Sequence, residues 1–406
     1  MTTTATYNKS AWLGNYPAHW QVLRIKNIFS EIEDRSTSGN EELLSVSHYT
    51  GVTLKRDSLE NEDDFISNAE TLEGYKRVAK GDLVINIMLA WNGSLGISPF
   101  DGITSPAYCV YRTKENNNSE YFGYLFATNL LKTEFRKKST GIIDSRLRLY
   151  SDKFFSIFSV VPPVEEQNQI VEYIKNQSQK IIHFIAKKQQ FIALLKEQRQ
   201  SVINEAVTKG INKKVKLKDS GIKWLGNIPE HWVVRRLKNI AKICNGSECD
   251  KKDEGLYPVF GSGGIFGRYD EFLYDKPSVL LGRKGTVDKP ILVNEPFWTV
   301  DTAFYTKIEE SVSTPEYFFY LCTTINFDLY STKTALPSMT QTDLYKVKFA
   351  IPPLLEQTQI INHIKTETAT IDTAIAKTER ELELIKEYKE AMIAEAVMGK
   401  VNFNKQ

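Results

Sequence analysis

The segment from Pro162 to Lys209 recurs later in the chain, and the recurrence limits what the chain can fold into. It reads PPVEEQNQIVEYIKNQSQKIIHFIAKKQQFIALLKEQRQSVINEAVTK. From Pro352 to Val397 the chain reads PPLLEQTQIINHIKTETATIDTAIAKTERELELIKEYKEAMIAEAV, at a constant offset of 190 residues. Pro162, Glu166, Gln167 and Gln169 match Pro352, Glu356, Gln357 and Gln359. Ile170, Ile174 and Lys175 match Ile360, Ile364 and Lys365, and Glu205-Ala206-Val207 matches Glu395-Ala396-Val397. A long match without gaps marks a duplication. In the first copy apolar residues fall at Ile170, Ile174, Ile181, Ile185, Ile192, Leu195, Val202 and Ala206. In the second they fall at Ile360, Ile364, Ile371, Ile375, Leu382, Ile385, Met392 and Ala396. Steps of three, four and seven make a heptad seam on a long helix. Pro-Pro precedes each start, where a missing amide costs nothing. Glu165, Glu166 and Glu356 suit the positive end of the helix dipole, and Gly210 and Gly399 suit the exits. At 1.5 Å per residue each helix would run roughly 65–70 Å. Such a helix needs a partner for its seam, and the simplest partner is its own duplicate, packed antiparallel.

A shorter motif repeats at a different offset. Residues 12–28 read WLGNYPAHWQVLRIKNI and residues 224–240 read WLGNIPEHWVVRRLKNI, an offset of 212. The chain therefore alternates short motif, variable segment and long helix, twice over. His19 and His231 hold equivalent places in this motif, and a duplicated frame of Trp, Gly and Pro points to a structural role for both. The variable segments, roughly 30–160 and 242–350, resemble each other little. Strand-like runs include GDLVINIML (81–89), YCVYR (108–112), SVLLGRKG (278–285) and TAFYTKI (302–308). FSIFSVV and YKVKFAI feed the two Pro-Pro steps, and YFGYLFATNLLKTEFRK (121–137) and PEYFFYLCTTI (315–325) each read as one helix. This mixture predicts α+β domains. The run INKKVKLKDSG (211–221) is basic, lacks helical periodicity and reads as a linker.

Composition narrows the class. The 406 residues carry a net charge of +2, which neither requires nor excludes nucleic acid, since a local patch can bind while the total balances. No apolar run reaches membrane-spanning length, and the first residues, MTTTATYNKS, lack the pattern of a secretory signal. Cys109, Cys244, Cys249 and Cys322 show no zinc-type pairing and read as free thiols in a reducing cytosol.

The doubled order of WLGNYPAHW and WLGNIPEHW, then PPVEEQNQI and PPLLEQTQI, then EAV near each helix end, resembles the specificity (S) subunit of Type I restriction-modification enzymes. The resemblance covers almost the whole chain. It implies an α+β fold: two globular target recognition domains separated by two long antiparallel coiled-coil helices, with an internal pseudo-twofold repeat. The expected boundaries are 1–161 for the first recognition domain, 162–209 for the first spacer helix and 210–219 for a linker. Next come 220–351 for the second domain, 352–400 for the second helix and 401–406 for a tail. The resemblance further implies a cytoplasmic, non-catalytic subunit whose domains each read one half of a bipartite DNA site. The helices would set the spacing and dock two methyltransferase (M) subunits, with restriction/translocase (R) subunits in the full complex. No cofactor is expected in this chain; S-adenosylmethionine, ATP and magnesium would belong to the partners. Two other readings stand beside it: a specificity subunit of another multisubunit restriction system, and a two-headed protein-binding adaptor.

The residues agree with a chain that carries no chemistry of its own. No G-x-x-x-x-G-K-[ST] loop is present. GSGGIFG (261–267) lacks the third glycine of a dinucleotide fingerprint, since Phe266 stands there, and reads as a loop. Asp63-Asp64 and Glu309-Glu310 are adjacent pairs that face water. Glu387 and Lys389 lie within the long helix, and the five histidines show no ligand spacing. For DNA, phosphate contacts call for Lys and Arg, and base edges for Arg, Lys, Asn or Gln. In the first half Lys137, Lys138, Arg146 and Arg148 cluster in FRKKSTGIIDSRLRLY. In the second, Arg283 and Lys284 sit in LLGRKGTVDKP, with Arg268, Lys333, Ser338, Thr340 and Gln341 as further candidates. The stretch 331–343 occupies the place of KKSTGIIDSRL, just ahead of the last strand, so this loop is the expected contact in both halves. Any one of these side chains taken alone is ordinarily a solvated charge. Trp91 and Asn92 could line a groove, although an aromatic beside a strand is ordinarily core.

Overall fold

A computed structural model describes residues 11–48, 50–55, 71–114, 116–143, 146–332, 335 and 337–401. The chain forms two compact units, Met1–Lys187 with Glu381–Gln406, and Lys188–Arg380. The division falls within both long helices, so each unit combines a globular part with the end of one helix and the start of the other.

The first unit contains strands β1 (Gln21–Arg24), β2 (Phe29–Glu31), β3 (Leu44–Ser47), β4 (Gly51–Leu54), β5 (Lys76–Val78), β6 (Leu83–Asn86), β7 (Leu95–Ile97), β8 (Gly102–Thr104) and β9 (Tyr108–Thr113). Helices α1 (Ser119–Phe126), α2 (Asn129–Lys138) and α3 (Ser151–Ser156) follow, then β10 (Phe158–Val161) and the start of the long helix α4, which spans Val164–Lys209. The central sheet has the order β2-β9-β6-β7, antiparallel throughout. β1 pairs with β10, so the opening motif closes onto the strand that feeds α4. Phe29, Tyr111, Phe122, Phe126, Phe135 and Phe154 are fully buried and form the aromatic core. Three local expectations need correction. The run 121–137 is two helices, because the Thr128 hydroxyl accepts from the Leu131 amide and starts α2 afresh. FSIFSVV is strand only from Phe158, its start being the end of α3. YKVKFAI of the second half needs the same correction, being helix through Lys346 and strand only from Lys348.

The second unit contains β11 (Leu217–Asp219), β12 (Asn227–Pro229), β13 (Val233–Arg236), β14 (Ala241–Asn245), β15 (Tyr257–Gly261), β16 (Gly264–Tyr269), β17 (Ser278–Gly282), β18 (Ile291–Val293), β19 (Trp298–Thr299) and β20 (Ala303–Ile308). Helices α5 (Pro315–Cys322) and α6 (Gln341–Lys346), strand β21 (Lys348–Ile351) and the start of the long helix α7, which spans Leu354–Val397, complete it. Its main sheet runs β14-β20-β17-β18, again antiparallel, and β13 pairs with β21. The variable segments thus share the order of one four-stranded sheet that their residues conceal, while their other strands differ: β3-β4 and β5-β8 pair in the first, and β16-β15-β19 form a sheet in the second. Part of the linker joins the fold, since β11 pairs with β12.

The long helices pack in each unit with the start of one against the end of the other. In the first unit Ile170, Ile174 and Ile181 of α4 share a core with Met392, Ala396 and Val397 of α7. In the second, Ile203, Ala206 and Val207 share one with Ile360, Ile361 and Ile364, and the Arg199 guanidinium meets Asp372 at 2.7 Å. This is the expected antiparallel seam, with one slip: toward the end of α4 the buried residue is Ile203, and Val202 is half-exposed.

The short motif explains the helix ends. His19 Nε2 lies 2.6 Å from Glu166 Oε1, and Trp20 Nε1 donates to Glu166 Oε2 at 2.8 Å. His231 and Trp232 hold Glu356 the same way, at 2.7 and 3.1 Å. The matched glutamine anchors the same turn. Gln167 Nε2 donates to the Pro162 carbonyl at 2.9 Å, while its Oε1 accepts from the Asn118 amide at 2.8 Å. Gln357 repeats this with Pro352 and Thr314 at 3.1 and 3.0 Å. The other face of each tryptophan meets the exit of the second helix. Gly399, at φ +68°, has no room for a Cβ, which would fall 2.6 Å from Pro17 and 2.8 Å from the Trp20 ring. Gly210, at φ +73°, faces Trp232 likewise. Each His-Trp pair therefore joins one helix start to the other helix end, the structural role expected for His19 and His231.

Candidate nucleic-acid interface

Both sheets place a loop at the same end of the same strand. In the first unit the chain leaves β6 at Ile87 and passes through a tight turn at Ala90–Asn92. The Leu149 amide donates to the Ile87 carbonyl at 2.9 Å, so the segment ahead of α3 is tied to this loop. α2 packs against it from the side. The Arg136 guanidinium lies 5.0 Å from the centre of the Trp91 ring, and Lys132 lies over Gly93. In the second unit the chain leaves β17 into Arg283-Lys284-Gly285. The Met339 amide donates to the Arg283 carbonyl and the Gly285 amide to the Pro337 carbonyl, both at 2.9 Å. The segment ahead of α6 is thus tied to the loop after β17, as its counterpart is in the first unit.

The expected residues divide accordingly. Lys137 and Lys138 end α2, with Lys138 Nζ 3.9 Å from Glu134, and Arg146 and Arg148 follow in the adjoining loop, where Arg146 is exposed. Arg283, Lys284 and Ser338 meet in the second unit, where Lys284 and Ser338 form a bridge. Arg283 donates to the Asp301 carbonyl at 3.3 Å, and Lys284 Nζ lies 3.5 Å from the Asp301 carboxylate. The other candidates are engaged by the fold itself. Arg268 donates to the carbonyls of Gly255 and Leu256 at 2.6 and 2.7 Å. Thr340 caps α6 through Asp343, whose carboxyl is held below its usual range by Lys346 and Thr340. Gln341 donates to Asn245 at 3.0 Å. Lys333 and the Asp63-Asp64 pair lie outside the described residues. Trp91 is half-buried beneath Arg136, and Asn92 is exposed at the same turn.

Two features of this surface were not read from the sequence. One is the tie between the loop after β6 or β17 and the loop ahead of α3 or α6, since pairing between distant segments leaves no local mark. The other is a pair of exposed isoleucines, Ile142 and Ile143, at the tip of the first contact loop.

The electrostatics suit a polyanion in the first unit. From Asn129 to Arg148 stand Lys132, Arg136, Lys137, Lys138, Arg146 and Arg148, against Glu134 and Asp144. The surface is not arranged for covalent chemistry. Burial pushes the thiols of Cys109, Cys249 and Cys322 up, opposite to the shift that a nucleophilic thiolate needs. Among the described residues no group of three or more His, Cys, Asp or Glu side chains could hold a metal ion. No helix among them is long and apolar enough to cross a membrane.

Fold and surface together define a duplicated recognition scaffold: one sheet topology used twice, with unlike loops, on a paired-helix frame. The chain belongs to the family of the Type I restriction modification DNA specificity domain, whose model matches residues 17–194 and again 229–384. It is a specificity subunit, the non-catalytic DNA-recognition component of a type I restriction system. The chain is 26% identical over 430 aligned positions to the type I restriction enzyme MjaVIII specificity subunit of Methanocaldococcus jannaschii, covering 95% of this chain and 93% of the relative. It is 27% identical over 264 positions to the putative MjaX specificity subunit of the same organism, covering 59% and 58%. Among solved structures, a chain from work on complex assembly and conformational transition of the type I R-M system superimposes with a TM-score of 0.67. That match has 15% identity and covers 95% of this chain and all of the other, a likeness of fold.

Proposed function

We propose that each unit reads one half of a bipartite DNA site through the loop after its central strand and the loop tied to it. One observation carries the reading: the same two-loop surface is built on β6 and on β17, yet its residues differ. Lys137, Lys138, Arg146 and Arg148 serve the first half-site, and Arg283, Lys284 and Ser338 the second. Lysine and arginine here grip phosphates, and the polar groups beside them read base edges. Unlike surfaces read unlike sequences, so the site is asymmetric. The target recognition domains are residues 1–161 and 220–351. α4 and α7, about 69 and 66 Å long at 1.5 Å per residue, set the number of unspecified base pairs between the half-sites. The helices also dock two methyltransferase subunits, and R subunits join the full complex in the cytoplasm. S-adenosylmethionine, ATP and magnesium act in those partners.

The test is a methylation map of the host genome with and without this chain. The reading predicts loss of N6-methyladenine at one asymmetric motif of two parts. An unchanged map, with the methyltransferase partner expressed and active, would favour the two-headed adaptor.

A further inference from the structure

The loop between α2 and α3 is closed and carries an apolar tip. Thr140 and Arg148 exchange backbone hydrogen bonds, each at 2.9 Å, which pinches its base. Within it the Arg146 amide donates to the Ile143 carbonyl at 2.8 Å. Gly141 sits at φ +143°, and a Cβ there would fall 2.5 Å from the Arg146 carbonyl oxygen, so only glycine lets the loop close. Leu147, just inside the pinch, and Leu149, just beyond it, are buried. The tip is thus presented on an anchored base.

At that tip Ile142 is 100% exposed and Ile143 53% exposed. Two adjacent isoleucines this open leave apolar surface in water that burial against a partner would remove. Lys137 and Lys138 at the end of α2 and Arg146 in the loop stand within five residues of them in the chain, with Asp144 the one acid in that stretch. An exposed apolar tip in a net-basic stretch matches the chemistry of a DNA groove: phosphates at the rim, and at the floor base edges that include the thymine methyl group.

We propose that Ile142 and Ile143 are specificity determinants of the first half-site, packing against thymine methyl groups in the major groove while the cations of this stretch hold the backbone. The proposal rests on the assignment of DNA half-sites to the two units, and it names apolar readout where the charged residues supply only affinity. The equivalent loop of the second unit closes at Thr332 and Ser338, whose backbone and hydroxyl groups bond at 2.9 and 3.0 Å, but its sequence between them, KTALP, carries no isoleucine pair, so the two half-sites have different requirements.

The experiment uses the complex assembled with its methyltransferase partner and duplexes carrying the mapped motif. In one duplex the thymines of the first half-site are replaced by deoxyuridine, which removes only the methyl groups. The wild-type complex should lose about tenfold in affinity on this replacement, on the order of one base-pair mismatch. I142S/I143S should bind the normal duplex about tenfold more weakly and be indifferent to the replacement, while I142L/I143L should restore the sensitivity. Equal affinity of I142S/I143S and wild type for both duplexes overturns the proposal and leaves the half-site reading intact. Loss of assembly with the methyltransferase by a folded I142S/I143S chain also overturns it, because the tip would then be a protein contact. A wild-type complex that recognises no bipartite motif removes the half-site reading itself, and this inference with it.

Discussion

Tyr121 and Tyr317 occupy matching places in α1 and α5, and both are buried. Tyr121 Oη donates to the Val397 carbonyl at 2.9 Å, satisfying a carbonyl at the end of α7. Tyr317 Oη has no hydrogen-bond partner. A buried polar group left unpaired costs more than a paired one contributes. Tyr121→Phe should therefore destabilise its unit by about 1–2 kcal/mol, and Tyr317→Phe should be neutral or stabilising. Denaturant unfolding of the two variants checks this, and equal losses would refute it. Gly399→Ala offers a steeper test. It places a side chain at φ +68° against Pro17 and Trp20, and should cost more than about 1 kcal/mol. These pairs were only half visible in the sequence. The repeat showed that Glu166, Gln167 and Lys175 return as Glu356, Gln357 and Lys365. It could not show that His19 and Trp20 grip the glutamate, or that Lys175 pairs with Glu120 as Lys365 pairs with Glu316. Such partners are distant in the chain and meet only in the fold.

At the scale of elements the long helices were legible because a heptad seam is written in local spacing. Ile170, Ile174, Ile360 and Ile364 are fully buried as the spacing requires. Toward the middle Ile185, Leu195, Ile375 and Leu382 are half-exposed, since a seam between two helices covers only one side of each residue. The seam thus tolerates a change of length better than a change of phase. Seven residues added to each helix preserve the heptad and add about 10 Å, close to three base pairs at 3.4 Å per pair. Such a chain should direct methylation to a motif with a longer unspecified gap and both half-sites unchanged. An active enzyme with an unchanged gap would contradict the spacing role. The sheets were harder to read. β6, β9, β17 and β20 lie within predicted runs, but the shared order β2-β9-β6-β7 and β14-β20-β17-β18 is set by pairing between segments whose side chains have diverged. The break between α1 and α2 was missed because apolar periodicity runs through Thr128, whose capping hydroxyl divides the run.

For the whole molecule, the central claim is that two unlike readers act independently on one frame. The duplication was plain in the sequence, and so was the difference between the variable segments. Of the proposed surfaces, the loops ahead of the last strands and Arg283-Lys284 stood out in the sequence, whereas the tie that joins the two loops in each unit is visible only in the fold. Independence of the readers is a property that mutation can test. Arg283→Ala with Lys284→Ala alters the second loop alone, and each side chain is partly exposed. Methylation mapping with this double variant is the most direct measurement. The account predicts that the first half-site is retained in full, while the second weakens or becomes degenerate at one or two positions. Simultaneous change in both half-sites, or no change in either, would contradict it.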